Sequence, residues 1–183
     1  MLVDQEYASQ RGGRGLTGVL FGLALASLAL SLAAPSLMEL RQRYQLNSVS
    51  HHFLQAIHLT RTLARQRGSK VTLAASDGRN WGTGWLIFID ENHNGRFDAG
   101  EHIFFQQAAS EVHIASRFTD ASSAYLSYAA NGRSCTRLNT DQAQAGSISF
   151  SLGKNVRRIK LNFLGRTRLC DPARESQCLE PLS

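Results

Sequence analysis

Catalytic signatures are what this sequence lacks first. It has no nucleophile elbow, no phosphate-binding glycine loop, no zinc-protease motif and no pair of acids set for general acid–base work. An enzyme is therefore not expected, and no cofactor either. There is no internal repeat and no low-complexity linker. Acidic residues are the minority, 14 against 20 lysines and arginines, for a net charge of +6. Nucleic acid and membrane headgroups fit that balance. Cysteine is scarce: Cys135, Cys170 and Cys178 are the whole set. In an exported protein Cys170 and Cys178 could close a small staple and leave Cys135 free, and Cys135–Cys170 is the other pairing. In the cytosol all three would be reduced bystanders.

Charge is also missing locally. GLTGVLFGLALASLALSLAAPSLM, residues 15–38, has no charged side chain. About 20 residues at ~1.5 Å each cross a bilayer core, so 16–38 is expected to span a membrane. A cleaved signal peptide would have a shorter apolar run and a small-x-small site after it. Here the run flows into a helical pattern instead. Arg11 and Arg14 precede it and place the N-terminus in the cytoplasm. Leu46, Val49, Phe53, Ile57, Thr60 and Ala64 then recur at three- and four-residue steps, an amphipathic helix over 39–68 ended by Gly68.

Beyond Gly68 the segments are short, β-branched or aromatic, and punctuated by Gly, Asn and Asp. KVTLAAS, GWLIFID, HIFFQQ, EVHIAS, AYLSYAA, SISFSL and VRRIKLNF predict an antiparallel sheet of six or seven strands over 69–164. In VRRIKLNF, Ile159, Leu161 and Phe163 are expected in the core, with Arg158, Lys160 and Asn162 on the outer face. The fold class is α+β, a long N-terminal helix packed on that sheet.

Two patterns invite a ligand. DENHNGRFDAGE fits the calcium-loop spacing, with Asp90, Asn92, Asn94, Asp98 and Glu101 at oxygen-bearing positions and Gly95 at the bend. Strands on both sides, rather than a helix, make it the connection of a hairpin. No metal is expected, and a weak calcium site is the alternative. The second pattern is basic: Arg157, Arg158, Lys160, Arg166, Arg168 and Arg174 fall in the last third of the chain. Arg166 and Arg168 are two apart, about 7 Å in an extended segment, on the scale of adjacent phosphates. Lys154, Arg133 and Arg137 could extend the patch. The bland alternative is a solvated face that protects a sheet edge. His51, His52 and His58 on the helix read as packing or solvated residues, and Trp81 and Trp85 as anchors of a loop to the core.

Leader, glycine, apolar helix, amphipathic continuation and β-domain together resemble type IV pilins and pseudopilins. RGLTGVLFGLALASLALSLAAPSL, FLQAIHLTRTLARQRGSKVTL, WGTGWLIFIDENHNGRFDAGEHIF and IKLNFLGRTRLC resemble the GspH/FimT family of minor pilins. The resemblance implies a leader over 1–15, cut after Gly15 by a prepilin peptidase, and N-methylation of Leu16. It implies a bacterial inner-membrane anchor before assembly, then a pilus or pseudopilus among other pilin subunits. Leu20 stands where the family usually carries glutamate, which suggests a tip position with no subunit ahead to pair. A C-terminal Gly-Arg-x-Arg, here Gly165, Arg166, Thr167 and Arg168, is linked in FimT-type proteins to DNA capture. The expected ligand is double-stranded DNA, held non-specifically by its phosphates on the basic tail 165–183. The alternative is a structural subunit that primes or caps a pilus or secretion pseudopilus without binding DNA.

Overall fold

The computed structural model describes residues 15–119 and 124–178, and of residues 29–35 the backbone alone. The expected leader 1–14 lies outside these. The chain divides into two compact units, 1–40 and 41–183. Helix α1, Leu16–Arg67, contributes to both. Gly68 ends it in the left-handed region, φ 64°, and the Ser69 amide donates to the Ala64 carbonyl. A left-handed residue just past the last turn closes a helix, and glycine takes that conformation without a Cβ clash.

In the first unit Leu16, Phe21, Leu23 and Leu28 are exposed. Among the described residues no helix is long and apolar enough to cross a membrane. The described side chains of the run stop at 28 and resume at 36, so part of the expected span lies outside them.

In the second unit the helix stripe is buried at Leu46, Phe53, Ala56, Ile57, Thr60 and Ala64. Ser50 and Thr60 are buried too, each donating its hydroxyl to the carbonyl four residues earlier. That local bond removes the cost of burying an unpaired polar group.

Among the described residues nine strands form two antiparallel sheets. Strands β1 (Val71–Ala75), β2 (Trp85–Phe88), β3 (Ile103–Gln107), β5 (Tyr125–Tyr128) and β6 (Ser134–Cys135) make one, in the order β3-β2-β1-β5-β6. Strands β4 (His113–Phe118), β7 (Gly146–Leu152), β8 (Asn155–Leu161) and β9 (Thr167–Cys170) make the other, in the order β4-β7-β8-β9. The single sheet expected from the sequence is thus two. The reason is partner choice: β4 pairs with β7 along its whole length and leaves β3 at an edge. Alternation marks a strand's buried face but does not name its neighbour.

Phe53 joins the layers. Its ring meets Trp81, Trp85 and Phe150 edge-on, at 5.0, 4.9 and 5.3 Å between centroids. Such contacts add stability beyond area burial. Trp81 donates its indole N–H to Ser116 Oγ at 3.0 Å, so both tryptophans serve the core, as expected.

Candidate nucleic-acid interface

Strands β8 and β9 form a hairpin in which Lys160 faces Arg168 and Arg158 faces Cys170 across the register. Ile159 and Leu161 point to the core. Arg158, Lys160 and Arg168 therefore stand on the other face, part of which the chain then covers, while Arg157, in step with Ile159, stands on the side of α1. Past Cys170 it folds back, and Cys178 closes a disulfide onto Cys170. The intervening strap supplies the acceptors. Lys160 Nζ donates to the Gln177 carbonyl at 2.7 Å and is only 5% exposed. Arg168 pairs with Glu175 at 2.8 Å and also reaches Gln177 Oε1. Arg157 pairs with Asp171 at 2.6 Å and bonds Asn47 on α1. Arg174 lies 3.7 Å from Asp171, and Arg158 donates to Ser149 Oγ.

The expected row of phosphate-binding cations is thus largely engaged within the protein. Lys160 lies on the outer face as predicted but under the strap, so it is not free to meet a ligand. Arg166 and Arg168 are not equivalent neighbours either, because Glu175 holds only the second.

Arg166 sits outside the strand, in the turn Asn162–Arg166. Asn162 organises that turn: its Oδ1 accepts from the Leu164 and Arg166 amides, and its carbonyl accepts from the Gly165 amide. Gly165 is in the left-handed region, φ 73°. A Cβ there would lie 2.7 Å from Tyr128 Cε1 and 2.8 Å from the Ser134 amide nitrogen. Only glycine fits a site that needs both. Tyr128 donates its hydroxyl to the Gly165 carbonyl at 3.0 Å, and burial raises the pKa of that phenol.

This close approach brings other arginines in. The Gly132 carbonyl lies 3.1 Å from that same Cβ position, so the turn bearing exposed Arg133 abuts the turn bearing Arg166. Arg65 and Arg61 pack on the other side of Gly132, where a Cβ would be 2.7 Å from Arg65 Cδ and 3.4 Å from Arg61 Nε. Arg61 also reaches the Leu164 carbonyl at 3.5 Å. Its Nε is buried and has no hydrogen-bond partner among the described residues. Among the described residues the Arg65, Arg133 and Arg166 guanidinium groups make no ion pair. The end of the helix, with Arg61 and Arg65, and two turns that each carry an exposed arginine therefore meet at one corner.

Phe163 was expected in the core and is instead 55% exposed, with Leu164 beside it at 47%. Strand β8 ends at Leu161, and the turn begins one residue later, which breaks the alternation. Arg61 and Arg65 were missed as site residues. Their signal is the helical i, i+4 spacing at the end of α1. The Asn-x-x-Gly spacing at Asn162–Gly165 marks the turn that exposes Phe163.

The other candidates go elsewhere. Asp90 accepts from the Asn94 and Gly95 amides, and Asp98 from the Asn92 and Asn94 side chains. Glu101 accepts from the Glu91 and Asp98 amides. The hairpin loop thus satisfies its own carboxylates. The hydrogen bonds from Asn92 and Asn94 lower the Asp98 pKa. Among the described residues no group of three or more His, Cys, Asp or Glu is placed to hold a metal. Arg137 reaches the Asn94 carbonyl, so it belongs to this loop rather than to the basic tail. His58 contacts Thr167. Cys135 is buried and free, its thiol pushed up to about 11 by burial.

Residues 50–165, more than half of the chain, match the family described as type II transport protein GspH. The chain belongs to the GspH family. That match ends at Gly165, so Arg166 and Arg168 lie beyond it. The fold of this GspH-family chain is similar to the type IV minor pilin FimU of Pseudomonas aeruginosa. Two crystal forms superpose with TM-scores of 0.54 and 0.52 at 14% identity, covering 72% and 70% of this chain and 92% and 95% of FimU. The minor pseudopilin EpsH of the Vibrio cholerae type 2 secretion system gives 0.48 at 13% identity, over 71% of this chain and 99% of EpsH. A comparison with curated protein sequences finds no match. The α+β, pilin-like architecture expected from the sequence is the one observed.

Proposed function

We propose that this GspH-family subunit is a non-enzymatic minor pilin that captures extracellular DNA for uptake. It binds through the arginine corner at the β8–β9 turn. The observation that carries the reading is Arg166: it is exposed, makes no ion pair among the described residues, and stands in the Gly-Arg-x-Arg motif. Arg133, Arg61 and Arg65 add charge around it, and Arg158 and Arg168 lie further along the hairpin. A few phosphate contacts give modest, sequence-independent affinity that falls steeply with salt.

Before assembly the subunit is held in the inner membrane by 16–38. A prepilin peptidase cuts after Gly15, and Leu16 becomes a methylated N-terminus. The exposed leucines and Phe21 then pack against other pilin subunits.

The test is a salt titration of duplex binding by the full-length protein in non-ionic detergent. A log–log slope of about −2 to −4 corresponds to a few neutralised phosphates. Arg166→Gln should weaken binding and reduce the slope by about 1. Absence of binding at ~50 mM salt by folded, oxidised protein would sink the reading. The second reading, a subunit that primes or caps assembly without DNA, is favoured by the strap, which already neutralises much of the basic face. It predicts no DNA binding and loss of piliation or secretion on deletion.

A further inference from the structure

We infer that Phe163 is a base-stacking residue, and that the arginine corner prefers single-stranded DNA, or the unpaired end of a duplex, over intact duplex. This rests on the DNA-binding reading above and specifies the substrate form.

The sequence pattern would bury Phe163, yet the structure holds it out. Strand β8 stops at Leu161, and Asn162 ties down the amides of Leu164 and Arg166. The Gly165 carbonyl is held by Tyr128 and the Asn162 carbonyl by the Gly165 amide. The turn is thus fixed at both ends, and its two apolar side chains are presented at the tip, more than half exposed at Phe163.

The surroundings identify the ligand class. Arg166 lies three residues after Phe163. Arg133 is on the abutting turn, and Arg61 reaches the Leu164 carbonyl. An apolar contact with another subunit does not call for cations on the same and the abutting turn. A strand of nucleic acid pairs both features, because phosphates and base faces alternate along it. Cationic grooves with a stacking aromatic hold single strands in this way, and every base has a face to offer. In a duplex those faces are already stacked, so the ring has no partner there except at an end. Hydrogen-bond donors for reading base edges are absent from the side chains of the tip residues Phe163 and Leu164, so these two confer no sequence preference.

The experiment compares a fluorescent oligothymidine with a duplex of equal length, both bound to the full-length protein in non-ionic detergent. The expected result is tighter binding of the single strand. Phe163→Ala should reduce single-strand affinity about tenfold, with duplex affinity changed less than about twofold. The salt slope should stay the same, since no charge is removed. Phe163→Trp should retain the preference, which separates loss of stacking from damage to the turn. Melting temperature should barely move, because the side chain is largely exposed. If Phe163→Ala weakens neither form, or both equally, the inference is overturned. If Arg166→Gln still weakens both in that case, the DNA-binding reading survives alone. If neither form binds, both fall. Loss of binding to vesicles containing anionic lipid in Phe163→Ala, with DNA binding unchanged, would assign the tip to a membrane surface and also overturn the inference.

Discussion

On the outer face of β8 and β9, Lys160 and Arg168 each meet an acceptor from the strap, as does Arg157 at the edge beside α1. At the tip of the same hairpin, Arg166 meets none among the described residues, and the turn of Arg133 and the helix end with Arg61 and Arg65 abut the turn that carries it. The two regions are only a few residues apart and have similar composition. What separates them is backbone. The disulfide returns acidic chain over one, while glycines with positive φ pack two turns and a helix end together at the other. Counting cations along the sequence treats them alike; their free charge differs because counter-ions are built into only one.

The largest expected effect is at the tip. Arg166→Gln should weaken DNA binding about tenfold and leave thermal stability unchanged, measured by anisotropy and melting. Gly165→Ala should also lose binding. In addition it should cost about 1–3 kcal/mol in denaturant unfolding, since alanine must take a left-handed backbone against Tyr128 and Ser134.

Opening the strap should bring the regions closer together. Cys170→Ser with Cys178→Ser should lower stability by about 2–4 kcal/mol. It should raise DNA affinity a few-fold as Arg168 and Lys160 lose their acceptors. Glu175→Gln is the gentler version. Its pair with Arg168 is exposed and worth about 0–1 kcal/mol, so stability should hold while affinity rises about twofold.

The smallest effects fall on the 90–101 loop, away from both regions. The Asp98 pKa is lowered from its ordinary 3.8 by Asn92 and Asn94. A depressed carboxyl contributes stability fully present above 3.8 and lost as pH falls through the lowered folded value. The side-chain amide signals of Asn92 and Asn94 should therefore shift only in that acid range. Added calcium should leave the melting temperature unmoved, because these carboxylates are engaged by amides of the loop.

Much of the fold was legible in advance. The helix stripe from Leu46 to Ala64, its end at Gly68 and seven of the strands come from periodicity and turn residues, which are local. The split into two sheets was not legible, because pairing is long-range. The corner was half legible. Gly165 and Arg166 stood out as a motif, but Arg61 and Arg65 lie far earlier in the chain and join it through the close approach at Gly132 and the Arg61 contact with the Leu164 carbonyl. Lys160 was placed on the correct face and given the wrong exposure, since nothing in an alternating strand shows that a later segment returns to cover it. Phe163 failed for a simpler reason: the strand ended two residues before the alternation did.

The most direct test sets Arg166→Gln beside Arg168→Gln in the full-length protein, with DNA affinity titrated against salt for each. The account predicts that Arg166→Gln loses about tenfold and flattens the slope by about 1, while Arg168→Gln, whose charge Glu175 already meets, changes affinity by about twofold or less. Equal losses from both, or a larger loss from Arg168→Gln, would contradict it and return the binding site to the strap-covered face.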